Sequence, residues 1–154
     1  LTLGLALGCL LGGAMLLGGA FTLDGKPQQD RVDWQPLSEQ AITQALAQNK
    51  RVFVDVTADW CITCKANKFN VLLRDDVQQA LSAPDVVALR GDWSRPSNTI
   101  ASFLRQRGSV AIPFNQIYGP GLTDGEILSP LLDRSTLLAT LAQAGIAPSQ
   151  GETK

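Results

Sequence analysis

Cys61 and Cys64 enclose Ile62-Thr63, follow Asp59-Trp60 and precede Lys65. Two thiols at this spacing can close a small disulfide ring and reopen it by exchange with another sulfur. The residues around them must place them for that. The apolar run Val52-Phe53-Val54-Asp55-Val56 reads as a buried strand, and Cys61 to about Leu73 reads as a helix. At such a junction the first cysteine meets the unpaired N–H groups of the first turn and the positive end of the helix dipole, both of which favour a thiolate. Cys61 is therefore the expected nucleophile, with a lowered pKa and the more exposed sulfur. Cys64, one turn further and more shielded, is expected to resolve the mixed disulfide. A merely structural bridge closing so short a loop would add little stability.

Three neighbours can act on this pair. Asp55 lies among apolar residues of the strand, so its carboxyl should be desolvated, its pKa raised, and a proton exchangeable with Cys64. The alternative is a strand residue facing solvent, and alternation does not decide it because the whole run looks buried. Trp60 reads as shielding the site or contacting a partner, with ordinary packing as the alternative. Asp59 reads as a turn residue. Lys68, one turn beyond Cys64, would favour a thiolate if it faces the sulfurs and is otherwise a solvated lysine.

Composition excludes several other chemistries. The 154 residues carry a net charge of −1, no basic run and no histidine. Nucleic acid is not an expected partner, and imidazole catalysis and imidazole-dependent zinc sites are ruled out. Of the three cysteines, Cys9 lies in an apolar N-terminal run and reads as a small inert residue. The remaining two cannot build a structural zinc site or a disulfide scaffold alone. Neither a metal nor an organic cofactor is expected.

Residues 1–23 are uncharged and rich in Leu, Gly and Ala, long enough for a membrane-crossing helix of about 20 residues. Gly4, Gly8 and Gly12 would place small residues on one face, suited to close helix packing. A signal sequence is the rival, but no charged leader precedes the apolar core. The first residue is Leu, and the segment is expected to be the end of a membrane domain. Residues 24–35 are expected to form a linker, 36–147 a folded domain and 148–154 a flexible tail.

Within the domain the expected elements are a helix from Ser38 to about Gln48, a strand over 51–57, the helix from Cys61 with a short continuation to Leu81, and a strand over 86–89. A helix over 97–107, a strand over 114–118, a hairpin strand over 126–129 turning at Thr123-Asp124-Gly125, and a helix over 135–144 complete the set. Alternating strands and helices closed by a hairpin imply an α/β domain with a mixed central sheet covered on both faces, the order of a thioredoxin fold.

The segment Phe53-Val54-Asp55-Val56-Thr57-Ala58-Asp59-Trp60-Cys61-Ile62-Thr63-Cys64-Lys65 resembles the C-terminal thioredoxin-like domain of the DsbD family of membrane thiol:disulfide interchange proteins. The Ile-Thr pair and Phe114-Asn115-Gln116 after Pro113 look more like its ScsB branch, suppressor of copper sensitivity. The resemblance covers roughly residues 34–147. It implies a periplasmic domain tethered to the inner membrane that takes electrons from a membrane-embedded dithiol and passes them to a periplasmic thioredoxin-like partner. It also implies that the loop at Ile112-Pro113 faces the cysteines with a cis peptide, so that the Ile112 backbone can pair with a partner strand. Lys68 departs from the family pattern, which often carries an acidic residue there. A Cu(I)-binding module using the same sulfurs and an anchored reductase for cytochrome c maturation are the alternatives. No Met or third Cys lies near the pair to complete a dedicated copper site.

Overall fold

The computed structural model describes residues 28–147. The expected membrane helix, Cys9 and the tail lie outside these residues. Among the described residues no helix is long and apolar enough to cross a membrane.

The central strand β2 (Arg51–Thr57) has every residue from Val52 to Val56 buried. Such a run forms a strand flanked on both sides and covered on both faces. It pairs in parallel with β3 (Val86–Asp92) and antiparallel with β4 (Phe114–Gly119). The short edge strand β1 (Gln35–Pro36) joins β3, and β5 (Leu122–Ile127) joins β4, giving the order β1-β3-β2-β4-β5. Pro36 is tolerated because β1 is an edge strand.

Successive side chains of β2 point to opposite faces. Val52, Val54 and Val56 pack with Ile42, Leu89, Phe103 and Phe114, beneath α1 (Glu39–Ala47) and α4 (Asn98–Gln106). Phe53 packs on the other face with Leu72, Val77, Leu81, Ile117, Leu137 and Leu141. That face is covered by α2 (Ile62–Asn67), α3 (Asp75–Leu81) and α5 (Arg134–Ala144). Complete burial of a side chain such as Phe53 is worth roughly 1.5–3 kcal/mol, and Asp55 shares its face.

The structure departs from the sequence expectations in three places. The helix from the cysteines does not run unbroken to Leu73. It widens into a π-helical turn at Lys68–Leu72, marked by the Leu73 N–H donating to Lys68 O at 2.9 Å. The buried Asn67 side chain holds this widening in place: its Nδ2 donates to Pro130 O at 2.8 Å, and its Oδ1 accepts from Leu132 N at 3.0 Å. Second, residues 30–35 are not a free linker. Val32 is buried in the core and the Trp34 ring lies 6.0 Å from that of Phe53, so apolar contact draws the chain onto the sheet before residue 36.

Third, the hairpin turns at Pro120-Gly121, with Gly119 opposite Leu122, rather than at Thr123-Asp124-Gly125. The earlier turn lets the end of α5 approach, and Gly121 N–H donates to Ala144 O at 2.9 Å. A Cβ at Gly119 would collide with the Ala144 carbonyl oxygen. Gly119→Ala is therefore expected to destabilise the domain by about 1–3 kcal/mol, read as a lower midpoint in urea unfolding of the disulfide form.

Candidate active site

Cys61 is the N-cap of α2, and its Sγ accepts from the Cys64 backbone N–H at 3.1 Å. This hydrogen bond and the helix start favour negative charge on Cys61 once the pair is reduced. The two cysteines are closed as a disulfide with Cα atoms 5.2 Å apart. The expected difference in exposure is absent in this form: both residues are 6% exposed. The closed ring packs with Ala58, Trp93 and Ile112. What separates them is their surroundings. Cys64, and not Cys61, lines a cavity of about 280 Å³ together with Asp55, Lys68 and Arg90.

Asp55 forms the floor of that cavity. The register places Arg90 of β3 and Asn115 of β4 directly opposite it on the two flanking strands. Arg90 Nε donates to Asp55 Oδ2 at 2.9 Å, and Asn115 Nδ2 donates to Asp55 Oδ1 at 2.9 Å. Burial pushes the Asp55 carboxyl above its ordinary value, opposed by the Arg90 charge and by hydrogen bonds from Asn115 and Arg90. Asn115 Oδ1 is buried without a hydrogen-bond partner among the described residues. Its amide is thus kept beside Asp55 although an unpaired buried acceptor costs about 1–3 kcal/mol.

Trp60 is 61% exposed, and its Nε1 donates to Trp93 O at 3.2 Å. Asp59 N–H donates to Ser94 Oγ at 2.8 Å, so the loop after β3 braces the turn that enters Cys61. Ile62 and Val110 are exposed, whereas Ile112 is half-buried and Pro113 buried. The Ile112–Pro113 peptide is cis. Lys68 is exposed at the rim of the cavity that Cys64 and Asp55 line.

The structure therefore brings Cys61, Cys64, Asp55, Lys68 and Ile112 together, with Trp60 and Pro113 at the borders. Sequence reasoning missed Arg90 and Asn115. Both were legible only through register: Arg90 follows the apolar Val86 to Leu89, and Asn115 interrupts Phe114 to Ile117, where a polar residue in a buried strand needs a partner.

A family model described as thioredoxin-like matches residues 33–120. The chain belongs to this thioredoxin-like family. The fold is a thioredoxin fold, and it resembles solved structures at identities that establish the fold alone. One is the DsbD C-terminal domain of Neisseria meningitidis in the reduced form, at 24% identity and TM-score 0.54, covering 68% of this chain and 91% of that one. Its oxidised form matches at 22% identity and TM-score 0.54, covering 68% and 90%. A thioredoxin from Thermus thermophilus matches at 22% identity and TM-score 0.56, covering 73% and 85%. No curated protein matches the chain.

A raised carboxyl pKa has a defined effect on stability. The folded state holds the Asp55 proton more tightly than the unfolded chain, so the associated stability is complete below the ordinary Asp value of about 3.9 and is lost as pH rises through the folded value. Asp55→Asn removes this loss. Urea unfolding of the disulfide form should show the variant gaining on the parent as pH rises from about 4 to 8, and a constant difference across that range would contradict the assignment.

Proposed function

We propose that this thioredoxin-like domain is a thiol:disulfide oxidoreductase that relays electrons from a membrane-embedded dithiol to a periplasmic thioredoxin-like partner. The observation that carries the reading is the division of labour within the disulfide. Cys61 sits at the helix start with an N–H on its sulfur, and Cys64 lines a cavity floored by a buried carboxyl. In the reduced domain the Cys61 thiolate attacks one sulfur of the partner disulfide, forming a mixed disulfide and releasing the other partner sulfur as a thiolate. Cys64 passes its proton to Asp55 and attacks Cys61 Sγ. The Cys61–Cys64 bond forms, the intermolecular bond breaks, and the partner leaves as a dithiol that has gained two electrons and, with solvent, two protons. Exchange with an upstream dithiol runs the same steps in reverse and restores the reduced domain. The sulfurs carry the electrons, so no metal or organic cofactor enters.

The exposed Trp60, Ile62 and Val110 offer apolar surface beside the disulfide, and the Ile112 backbone offers an edge for an extended partner segment. The uncharged residues 1–23 would tether the domain to the inner membrane with its site in the periplasm. Support for the DsbD-type relay comes from the Ala58-Asp59-Trp60-Cys61 motif and from the likeness in fold to the meningococcal domain.

The test is a trapped intermediate. Cys64→Ala removes the resolving sulfur, so the variant should accumulate a mixed disulfide through Cys61 with a periplasmic thiol protein, seen as a reducible adduct on non-reducing gels. Cys61→Ala should form none. Absence of any adduct with Cys64→Ala under conditions that oxidise the parent rules out the relay.

A further inference from the structure

Arg90 is held far more firmly than an ion pair with Asp55 requires. Its Cζ lies 3.7 Å from the centroid of the Trp34 ring, so the guanidinium is stacked on the indole. Its Nη1 lies 3.3 Å from Asp30 Oδ2, while its Nε faces Asp55 Oδ2 at 2.9 Å. Asp30 also seats the indole: Trp34 Nε1 donates to Asp30 Oδ2 at 2.9 Å. Asp30 is fixed in turn by Gln78, whose Nε2 reaches Asp30 Oδ1 at 3.2 Å and Leu72 O at 2.8 Å. Gln78 Oε1 accepts from Arg31 N–H at 2.6 Å. The segment before β1 is thus locked to the π-helical turn and to Arg90 at once.

We propose that Trp34, seated by Asp30, is a positioning residue for thiol–disulfide exchange: by stacking on the Arg90 guanidinium it keeps the Nε edge on Asp55 at the floor of the Cys64 cavity. This inference rests on the role given to Asp55 in resolution. A guanidinium on a flexible stem can swing away from a carboxylate, and the flat indole removes that freedom. The segment entering the domain then governs how tightly Asp55 holds its proton, although none of its residues touches a sulfur.

The charged groups around Asp55 are Arg90 and Asp92 on β3, Asp30 on the entering segment, Asp59 after β2, and Lys65 and Lys68 on α2 and the turn that follows. Trp34→Leu changes none of these charges. It removes the indole N–H from Asp30, as Trp34→Phe also does, so the difference in the Asp55 titration between Trp34→Leu and Trp34→Phe reports the placement of Arg90.

The experiment uses the full chain in detergent with its Asp carboxyl carbons labelled for NMR. In the disulfide form neither Cys61 nor Cys64 titrates, so the Asp55 carbon reports its own protonation. With Arg90 released, Asp55 should keep its proton to higher pH. Trp34→Leu should move the midpoint up by about half a pH unit or more, the size expected for loss of one cation–π contact. Trp34→Phe, which keeps a flat face, should return most of the shift. Arg90→Gln should move it at least as far, and adding Trp34→Leu to Arg90→Gln should add nothing. The rate of reduction of oxidised glutathione by the reduced chain, followed from pH 5 to 9, should shift its profile in the same direction. An unmoved Asp55 midpoint in Trp34→Leu, with only a lower melting temperature, overturns the inference and makes Trp34 a packing residue. If the midpoint moves and the glutathione profile does not, the role of Asp55 in exchange fails and the inference fails with it. Should Trp34→Leu not fold, an Arg90→Gln midpoint equal to that of the parent is equally decisive against it.

Discussion

A carboxylate in the middle of the buried central strand is the constraint around which this site is arranged. Alone, an ionised Asp55 among Val54, Val56 and Phe53 would face a desolvation cost of several kcal/mol. The sheet answers it with a row of three residues across three strands, Arg90, Asp55 and Asn115, paired by register. Because side chains alternate between faces, a slip of one residue on either side would turn Arg90 or Asn115 toward α1 and α4 and cost Asp55 one of its two partners. Register and site chemistry are therefore a single requirement. The apolar pattern that buries Phe53 and Ile117 also brings Asp55 and Asn115 to the same face.

The sulfurs are supported from above this row. Cys61 takes its N–H from the first turn of α2, and the loop after β3 fixes the turn before it through Ser94 and Trp93. Beyond Cys64 the helix cannot simply continue. The π-helical turn at Lys68–Leu72 frees the Leu72 carbonyl to accept from Gln78, while Asn67 ties the same stretch to the loop before α5. Wider turns of this kind recur where a helix must present a functional group and still close its backbone bonds. Here one turn serves both ends of the site: it carries Lys68 to the rim of the Cys64 cavity, and through Gln78 it reaches Asp30 and the Arg90 clamp.

Much of this was legible in the sequence, for reasons that particular residues make plain. The strand at Arg51–Thr57 was clear because Val52 to Val56 is a short, largely apolar run rich in β-branched residues, and Ser38 marked its helix because it can cap a free N–H. The cysteine pair and Asp55 could be read from spacing and burial. The clamp could not. Asp30 and Trp34 lie in a polar, proline-flanked stretch with no periodicity, and only the sheet edge and the Arg90 side chain draw them in. The hairpin turn was misplaced for a related reason. Both Pro120-Gly121 and Thr123-Asp124-Gly125 carry turn chemistry, and the choice is made by the distant end of α5, which needs glycine at the closer position.

In the sequence, Lys68 is the departure from the family pattern, a positive charge one turn beyond Cys64 that would act on the site if it faced the sulfurs. The structure gives that weight to Arg90 instead. Both cations border the same cavity, but they act through different media. Lys68 is exposed, so its field reaches the sulfurs through water and counter-ions and is strongly screened. Arg90 is only 23% exposed, is hydrogen-bonded to Asp55, and is fixed by Trp34 and Asp30 where the effective dielectric is lower. A fixed charge at hydrogen-bond distance in such surroundings outweighs a mobile one at a wet rim several-fold. Burial raises the proton affinity of Asp55, and the opposing charge comes chiefly from Arg90 of β3, held in place by the segment that leads into the sheet.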